Sequence, residues 1–194
     1  MRVITGITRG RKLKTPDGLE VRPTSDRTKE SIFNIIQFDI EGRRVLDLFA
    51  GSGQMGIEAL SRGAVAAVFV DIRRECIDLI RENLGRTEFD SMSQVRQEDY
   101  RAYIKRAEKG SFGLIFLDPP YGERLLASSI SMIMRRDLLC PGGLMVCEGE
   151  KNESLPDAAF PYEKGREYIY GKTKITVYLR KQEDGEQSDQ STVQ

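Results

Sequence analysis

From Arg43 onward the chain alternates between short apolar runs that end in an acidic residue and longer stretches with apolar residues at helical spacing. This rhythm predicts βα units wound around a mostly parallel sheet. Five strands are expected, at Val45 to Phe49, Ala67 to Asp71, Ser93 to Arg96, Leu114 to Asp118 and Leu144 to Glu148, with helices at about 54 to 62, 73 to 84, 100 to 109 and 123 to 136. Beyond Glu150 the period changes to two. Tyr168 to Tyr170 and Lys174 to Leu179, separated by Gly171, predict a closing antiparallel hairpin with Ile175, Val177 and Leu179 on one face.

Ahead of this core, two short strands are expected around Val3 to Thr5 and Lys12 to Lys14, punctuated by Gly6, Gly10, Pro16 and Gly18. Pro23-Thr24-Ser25-Asp26 offers caps for a helix carrying Ile32, Ile35 and Ile36. Residues 1–40 therefore read as an N-terminal extension, 41–181 as a single core domain, and 182–194 as a polar, disordered tail.

Composition narrows the chemistry. The chain has no histidine, which removes Ser-His-Asp and Cys-His catalysis. Cys76, Cys140 and Cys147 lack CxxC spacing, so neither a disulfide framework nor a metal site is indicated. No apolar run is long enough to span a membrane and the opening residues lack an apolar leader, so a cytoplasmic location away from membranes is expected. Net charge is zero, but residues 1–30 carry eight basic side chains against four acidic ones. Arg2, Arg9, Arg11, Lys12, Arg22 and Arg27 are thus candidates for phosphate contacts, although a solvated charged face would look the same.

Two motifs carry chemistry. The first strand runs into Asp47-Leu48-Phe49-Ala50-Gly51-Ser52-Gly53-Gln54-Met55-Gly56, a glycine loop between strand and helix, and Asp71 ends the next strand. Glycines at 51 and 53 let the backbone turn sharply with a ligand lying against it, and a carboxylate at the second strand end can accept both hydroxyls of a ribose. A tight βα turn without a ligand is the bland alternative. Asp47 would repel the pyrophosphate of NAD, whereas a cofactor bearing a sulfonium and an amine tolerates it, which favours S-adenosylmethionine.

The second motif is Asp118-Pro119-Pro120-Tyr121, directly after an apolar strand. The prolines remove donors and hold the chain extended, leaving carbonyls free. An exocyclic amine would give one hydrogen to Asp118 and the other to the Pro119 carbonyl, while Tyr121 offers a stacking face for a base. A rigid strand-ending turn is the alternative. Asp99 is equally a helix cap or an acceptor for the adenine amine, and Cys147 and Glu148 read as plain strand residues.

These residues, together with Arg22-Pro23-Thr24-Ser25-Asp26-Arg27, Phe33-Asn34 and Glu58-Ala59-Leu60-Ser61-Arg62-Gly63, resemble the bacterial 16S rRNA guanine-N2 methyltransferase family from residue 1 to about 180. Gly149 departs from it, standing where members often carry a histidine. The resemblance implies a class I, Rossmann-like α/β methyltransferase fold with a mostly parallel seven-stranded sheet, an antiparallel C-terminal hairpin and an RNA-gripping N-terminal extension. It further implies methylation of a guanine N2 amine in 16S rRNA, on the small ribosomal subunit or an assembly intermediate, by a monomer. Asp47, Phe49, Gly51, Ser52, Gly53, Asp71 and Asp99 then map to the cofactor, and Asp118, Pro119, Pro120 and Tyr121 to the target base. Alternatives are a DNA adenine-N6 or cytosine-N4 methyltransferase, for which the chain has no room for a recognition domain, a protein-glutamine methyltransferase, a nicotinamide-dependent oxidoreductase and a non-catalytic RNA-binding assembly factor.

Overall fold

The apolar runs pair into one sheet. In the computed structural model, which describes residues 1–15, 26–120 and 124–182, the strands are β1 (Arg44–Asp47), β2 (Ala66–Asp71), β3 (Ser93–Gln97), β4 (Phe112–Leu117), β5 (Leu139–Glu150), β6 (Tyr162–Tyr170) and β7 (Thr173–Arg180). Their order is β3-β2-β1-β4-β5-β7-β6, with β7 antiparallel to both neighbours and the other pairs parallel. The helices are α1 (Asp26–Ile35), α2 (Gln54–Ser61), α3 (Arg74–Thr87), α4 (Tyr100–Arg106) and α5 (Leu125–Arg136).

Alternation along each strand divides the core. Val45, Phe69, Leu114 and Phe116 face one cluster with Ile32 and Phe33 of α1, Ile36 just past its end, Ile57 and Leu60 of α2, and Ile77 and Ile80 of α3. Their neighbours Leu46, Val68, Val70 and Ile115 face the other, with Tyr103 and Ile104 of α4 and Ile130 and Ile133 of α5. Strands covered on both sides have no polar face, which is why they read as continuous apolar runs. Among the described residues, no helix is long and apolar enough to cross a membrane.

Several boundaries differ from expectation. The two N-terminal strands reduce to a single antiparallel bridge between Arg2 and Lys12, flanked by Val3 N–H to Arg11 O (3.0 Å) and Leu13 N–H to Met1 O (3.0 Å). Strand β6 begins at Tyr162, well before Tyr168, because its early residues form a sheet edge with a largely solvated polar sequence that shows no apolar alternation. Strand β5 likewise starts at Leu139, across a register shift opposite Phe112 and Leu114. The expected caps at residues 23–25 and the tail at 183–194 lie outside the described residues.

The extension shares the core of the domain. Val3 and Leu13 are buried in the α1–α3 cluster, and each buried side chain of this kind contributes about 1.5–3 kcal/mol. A buried charge cluster fastens the joint. Glu58 of α2 and Lys29 of α1 are both fully buried, 3.6 Å apart, and Arg62 reaches Glu58 at 2.9 Å while lying over the Phe33 ring. The Glu58 carboxylate also accepts the backbone N–H groups of Ile4 (2.8 Å) and Thr5 (3.0 Å), and Lys29 Nζ donates to Arg2 O (2.8 Å).

Candidate functional site

Strand β1 is hydrogen-bonded to β2 on one side and β4 on the other, all running the same way. The chain winds outward from β1 through β2 to β3, then returns to β4 on the opposite flank. In sheets of this kind such a reversal places ligands beyond the C-terminal ends of the two strands that flank it, here β1 and β4. Asp47, the glycine loop, Asp71 and Asp118 all leave the sheet at this edge, so the two sequence motifs share one mouth.

The loop is held from both sides. Gly51 N–H donates to Asp71 Oδ2 (2.9 Å), Ala50 N–H to Val70 O (3.0 Å), and Gly56 N–H to Asp47 Oδ2 (3.0 Å). Gly51 and Gly53 both have positive φ, at 54° and 77°, where a side chain is strained. Their surroundings differ, however. A Cβ on Gly51 would meet nothing within 4 Å, whereas one on Gly53 would touch Ile80 at 3.3 Å and one on Gly56 would strike the Phe69 ring at 2.3 Å. Of the three, only Gly51 has open space on the side where a Cβ would stand. Gly53 is needed for its left-handed turn and Gly56 for helix-on-strand packing.

Three carboxylates give the mouth its electrostatics. Asp47 is 4% exposed, and burial above all pushes its carboxyl up to about 7. The Gly56 N–H opposes this shift, while the charges of Asp118 and Asp71 add to it. Asp71 accepts the backbone N–H groups of Gly51 and Arg73 at 2.9 Å each, with the Arg73 guanidinium further off at 3.3–3.4 Å. Asp118 is half-buried, Pro119 buried and Pro120 exposed, and Tyr121 lies outside the described residues. Such a site attracts cations and repels a pyrophosphate.

The remaining predicted residues are placed as follows. Ser52 is buried and its carbonyl accepts from Asn83 Nδ2 (2.9 Å). Phe49 packs on Tyr100 with ring centroids 5.2 Å apart. Asp99 caps α4, accepting the Arg101 N–H at 2.8 Å through one oxygen. Arg2, Arg9, Arg11 and Lys12 come together, exposed, on the N-terminal hairpin, with Arg11 paired to Glu88 at 3.2 Å. Arg27 is exposed in the first turn of α1, apart from the hairpin in sequence, and Arg22 lies outside the described residues.

Two residues were missed. Gln54, the first residue of α2, is 8% exposed, and its Oε1 is buried without a hydrogen-bond partner. A buried acceptor left open beside a glycine loop fits a ligand carrying N–H or O–H donors. Ile72, directly after Asp71, is 63% exposed at the same edge and offers an apolar surface to a flat ring. Neither had a sequence signal, since a glutamine in a helix and an isoleucine after an apolar strand are both ordinary. Glu148 is only 7% exposed and follows Cys147, the register partner of Leu117, so it ends level with Asp118 on the adjacent strand.

Residues 1–179 match the family described as Conserved hypothetical protein 95. The chain is 40% identical over 183 residues to YlbH of Bacillus subtilis, provisionally named an rRNA methyltransferase, covering 93% of this chain and 100% of that protein. It is 32% identical over 190 residues to ribosomal RNA small subunit methyltransferase D of Escherichia coli strain K12, covering 97% and 94% of the two. The solved structure of yhhF from Escherichia coli, provisionally described as a methyltransferase, superimposes with a TM-score of 0.83 at 30% identity, over 94% of this chain and 99% of that one.

Proposed function

Because the chain belongs to the family of ribosomal RNA small subunit methyltransferase D, we propose that it transfers a methyl group from S-adenosylmethionine to the exocyclic N2 amine of a guanine in 16S rRNA. The observation that carries this reading is the meeting of the two motifs on adjacent parallel strands, near enough for the charge of Asp118 to raise Asp47. A methyl donor and an amine acceptor need that proximity.

The cofactor would lie against Gly51, with Asp71 accepting from its ribose, Gln54 Oε1 and the Asp99 carboxylate taking N–H donors, and Ile72 and Phe49 flanking its base. S-adenosylmethionine supplies an electrophilic methyl group on a sulfonium. The protein's own part is positioning, which can contribute ~7–11 kcal/mol to lowering a barrier. Asp118 and the Pro119 carbonyl each accept one hydrogen of the guanine amine, aligning its lone pair, and Tyr121 gives the flipped base a stacking face. A strong general base is unnecessary, because an aryl amine becomes acidic as it is methylated. The exposed cations Arg2, Arg9 and Lys12, with Arg11, Arg22 and Arg27, hold RNA phosphates.

Asp47 gives the cofactor site a pH response. Its carboxyl, raised to about 7, is largely protonated below that pH, and a positively charged ligand favours the ionised form. Binding then releases a proton, so affinity rises with pH until about 7 is passed. Only the methyl donor carries a sulfonium. Titration calorimetry across this range should therefore show the preference for S-adenosylmethionine over S-adenosylhomocysteine growing with pH, and Asp47→Asn should flatten it. An equal pH response for both ligands in the native protein would rule the linkage out.

The function itself is tested by supplying methyl-labelled cofactor in parallel with deproteinised 16S rRNA, assembled small subunits and genomic DNA, then identifying the labelled nucleoside. N2-methylguanine from a ribosomal substrate is expected. Label recovered as N6-methyladenine from DNA would overturn the assignment.

A further inference from the structure

The N-terminal hairpin is mounted on the core through its backbone. Ser61 at the end of α2 accepts Thr8 N–H at its hydroxyl (3.1 Å) and Ile7 N–H at its carbonyl (2.9 Å), and its hydroxyl donates to Thr5 O (2.7 Å). The approach is so close that a Cβ on Gly6 would lie 1.8 Å from Ser61 O. The backbone of the returning strand is gripped by Asn83 of α3, which is fully buried. Its Oδ1 accepts Lys14 N–H (2.7 Å) and its Nδ2 donates to Lys14 O (3.0 Å), gripping both polar atoms of that residue.

The other Nδ2 bond goes elsewhere, to Ser52 O in the glycine loop (2.9 Å). Both amide hydrogens are thus committed, one to the hairpin and one to the loop. Ser52 O belongs to the peptide that enters Gly53, whose N–H closes the loop on Ala50 O at 2.6 Å. Met1 Sδ approaches Ser52 Oγ at 4.0 Å, which places the hairpin's start against the same loop.

We propose that Asn83 is a positioning residue that couples RNA held by the hairpin to cofactor held by the glycine loop, so that each ligand tightens the other. This rests on the reading of the hairpin as an RNA grip. Phosphates engaged by Arg9 and Lys12 fix the strand leading to Lys14, and the rigid amide of Asn83 passes that restraint to the Ser52 carbonyl. The cofactor then meets a loop already ordered and loses less conformational freedom on binding. Linkage requires the reverse effect to have the same size.

The test measures S-adenosylhomocysteine affinity with and without 16S rRNA, and rRNA affinity with and without S-adenosylhomocysteine. In the native protein rRNA should improve S-adenosylhomocysteine affinity about tenfold, within the usual range of such couplings, and the reverse factor should match. Asn83→Ala, and Asn83→Asp, which keeps the volume and one acceptor but loses both donors, should bring the factor below about twofold. Either affinity alone can fall for purely structural reasons, but the ratio cannot. A tenfold factor that survives both substitutions, or a factor of one in the native protein, overturns the coupling.

Should neither variant fold, hydrogen exchange on the native protein decides. The Gly53 and Gly56 amides should gain protection when rRNA is added without cofactor, and unchanged exchange sinks the proposal. An absence of binding to rRNA in the direct titration, and to assembled small subunits when it is repeated with them, would instead strike the functional reading, and is seen separately.

Discussion

Replacing Asp118 by alanine should slow methyl transfer to rRNA by about 10²–10³-fold while S-adenosylhomocysteine still binds. Asp118 stands just past the end of β4, hydrogen-bonded to β1, and the adjoining Pro119 is buried and cannot donate a backbone hydrogen bond. In the proposed function its carboxylate would orient the amine at the point where positive charge develops on nitrogen, an interaction strongest in the transition state. Losing it should therefore lower kcat more than it raises KM for rRNA. Removing a negative charge also relieves Asp47, whose carboxyl should titrate lower in this variant, since Asp118 is one cause of its elevation. Single-turnover methylation with labelled donor measures the rate, and calorimetry the binding. Near-native methylation by Asp118→Ala would reduce the Asp-Pro-Pro turn to a rigid strand end without a part in the chemistry, whereas no methylation by the native protein would favour a non-catalytic assembly factor.

Replacing Glu58 by alanine should cost about 3–5 kcal/mol of stability, the range for breaking a buried ion pair from one side. The carboxylate is fully buried, and it is met by Lys29, Arg62 and the N–H groups of Ile4 and Thr5. Removing it leaves the buried Lys29 cation beside a cavity and two backbone donors without their acceptor. In a domain of this size each kcal/mol lowers the melting temperature by about 2–4 °C, so a fall of roughly 10 °C is expected. Glu58→Gln should cost less of the hydrogen bonding but as much of the charge balance. A melting temperature within about 2 °C of the native value for Glu58→Ala would show that the cluster does not fasten the extension.

The elements that could be read from the sequence are those whose signal is local. Val45 to Phe49, interrupted only by Asp47, and Leu114 to Leu117, closed by Asp118, announce buried strands by their apolar runs, and Gly51, Gly53, Pro119 and Pro120 announce turns by their backbone limits. Strand β6 was half missed because an edge strand buries little and need not alternate. Gln54 and Ile72 were missed because nothing nearby in the chain marks an acceptor as unpartnered or an apolar side chain as exposed. The different surroundings of Gly51 and Gly53 were hidden for the same reason, as it takes Ile80 and Phe69 to show which glycine faces inward.

By itself the sequence determined the alternation of strands and helices, the two motifs, and the absence of histidine chemistry, since these follow from steric rules and residue types within a few positions. Only the tertiary structure decided that both motifs open on one edge, that Asp47 is pressed by Asp118 and Asp71, and that Glu58 and Asn83 join the extension to the core. The reason is physical. A buried polar group takes its meaning from partners far along the chain, as Asn83 does from Ser52 and Lys14, and strand order brings those partners together.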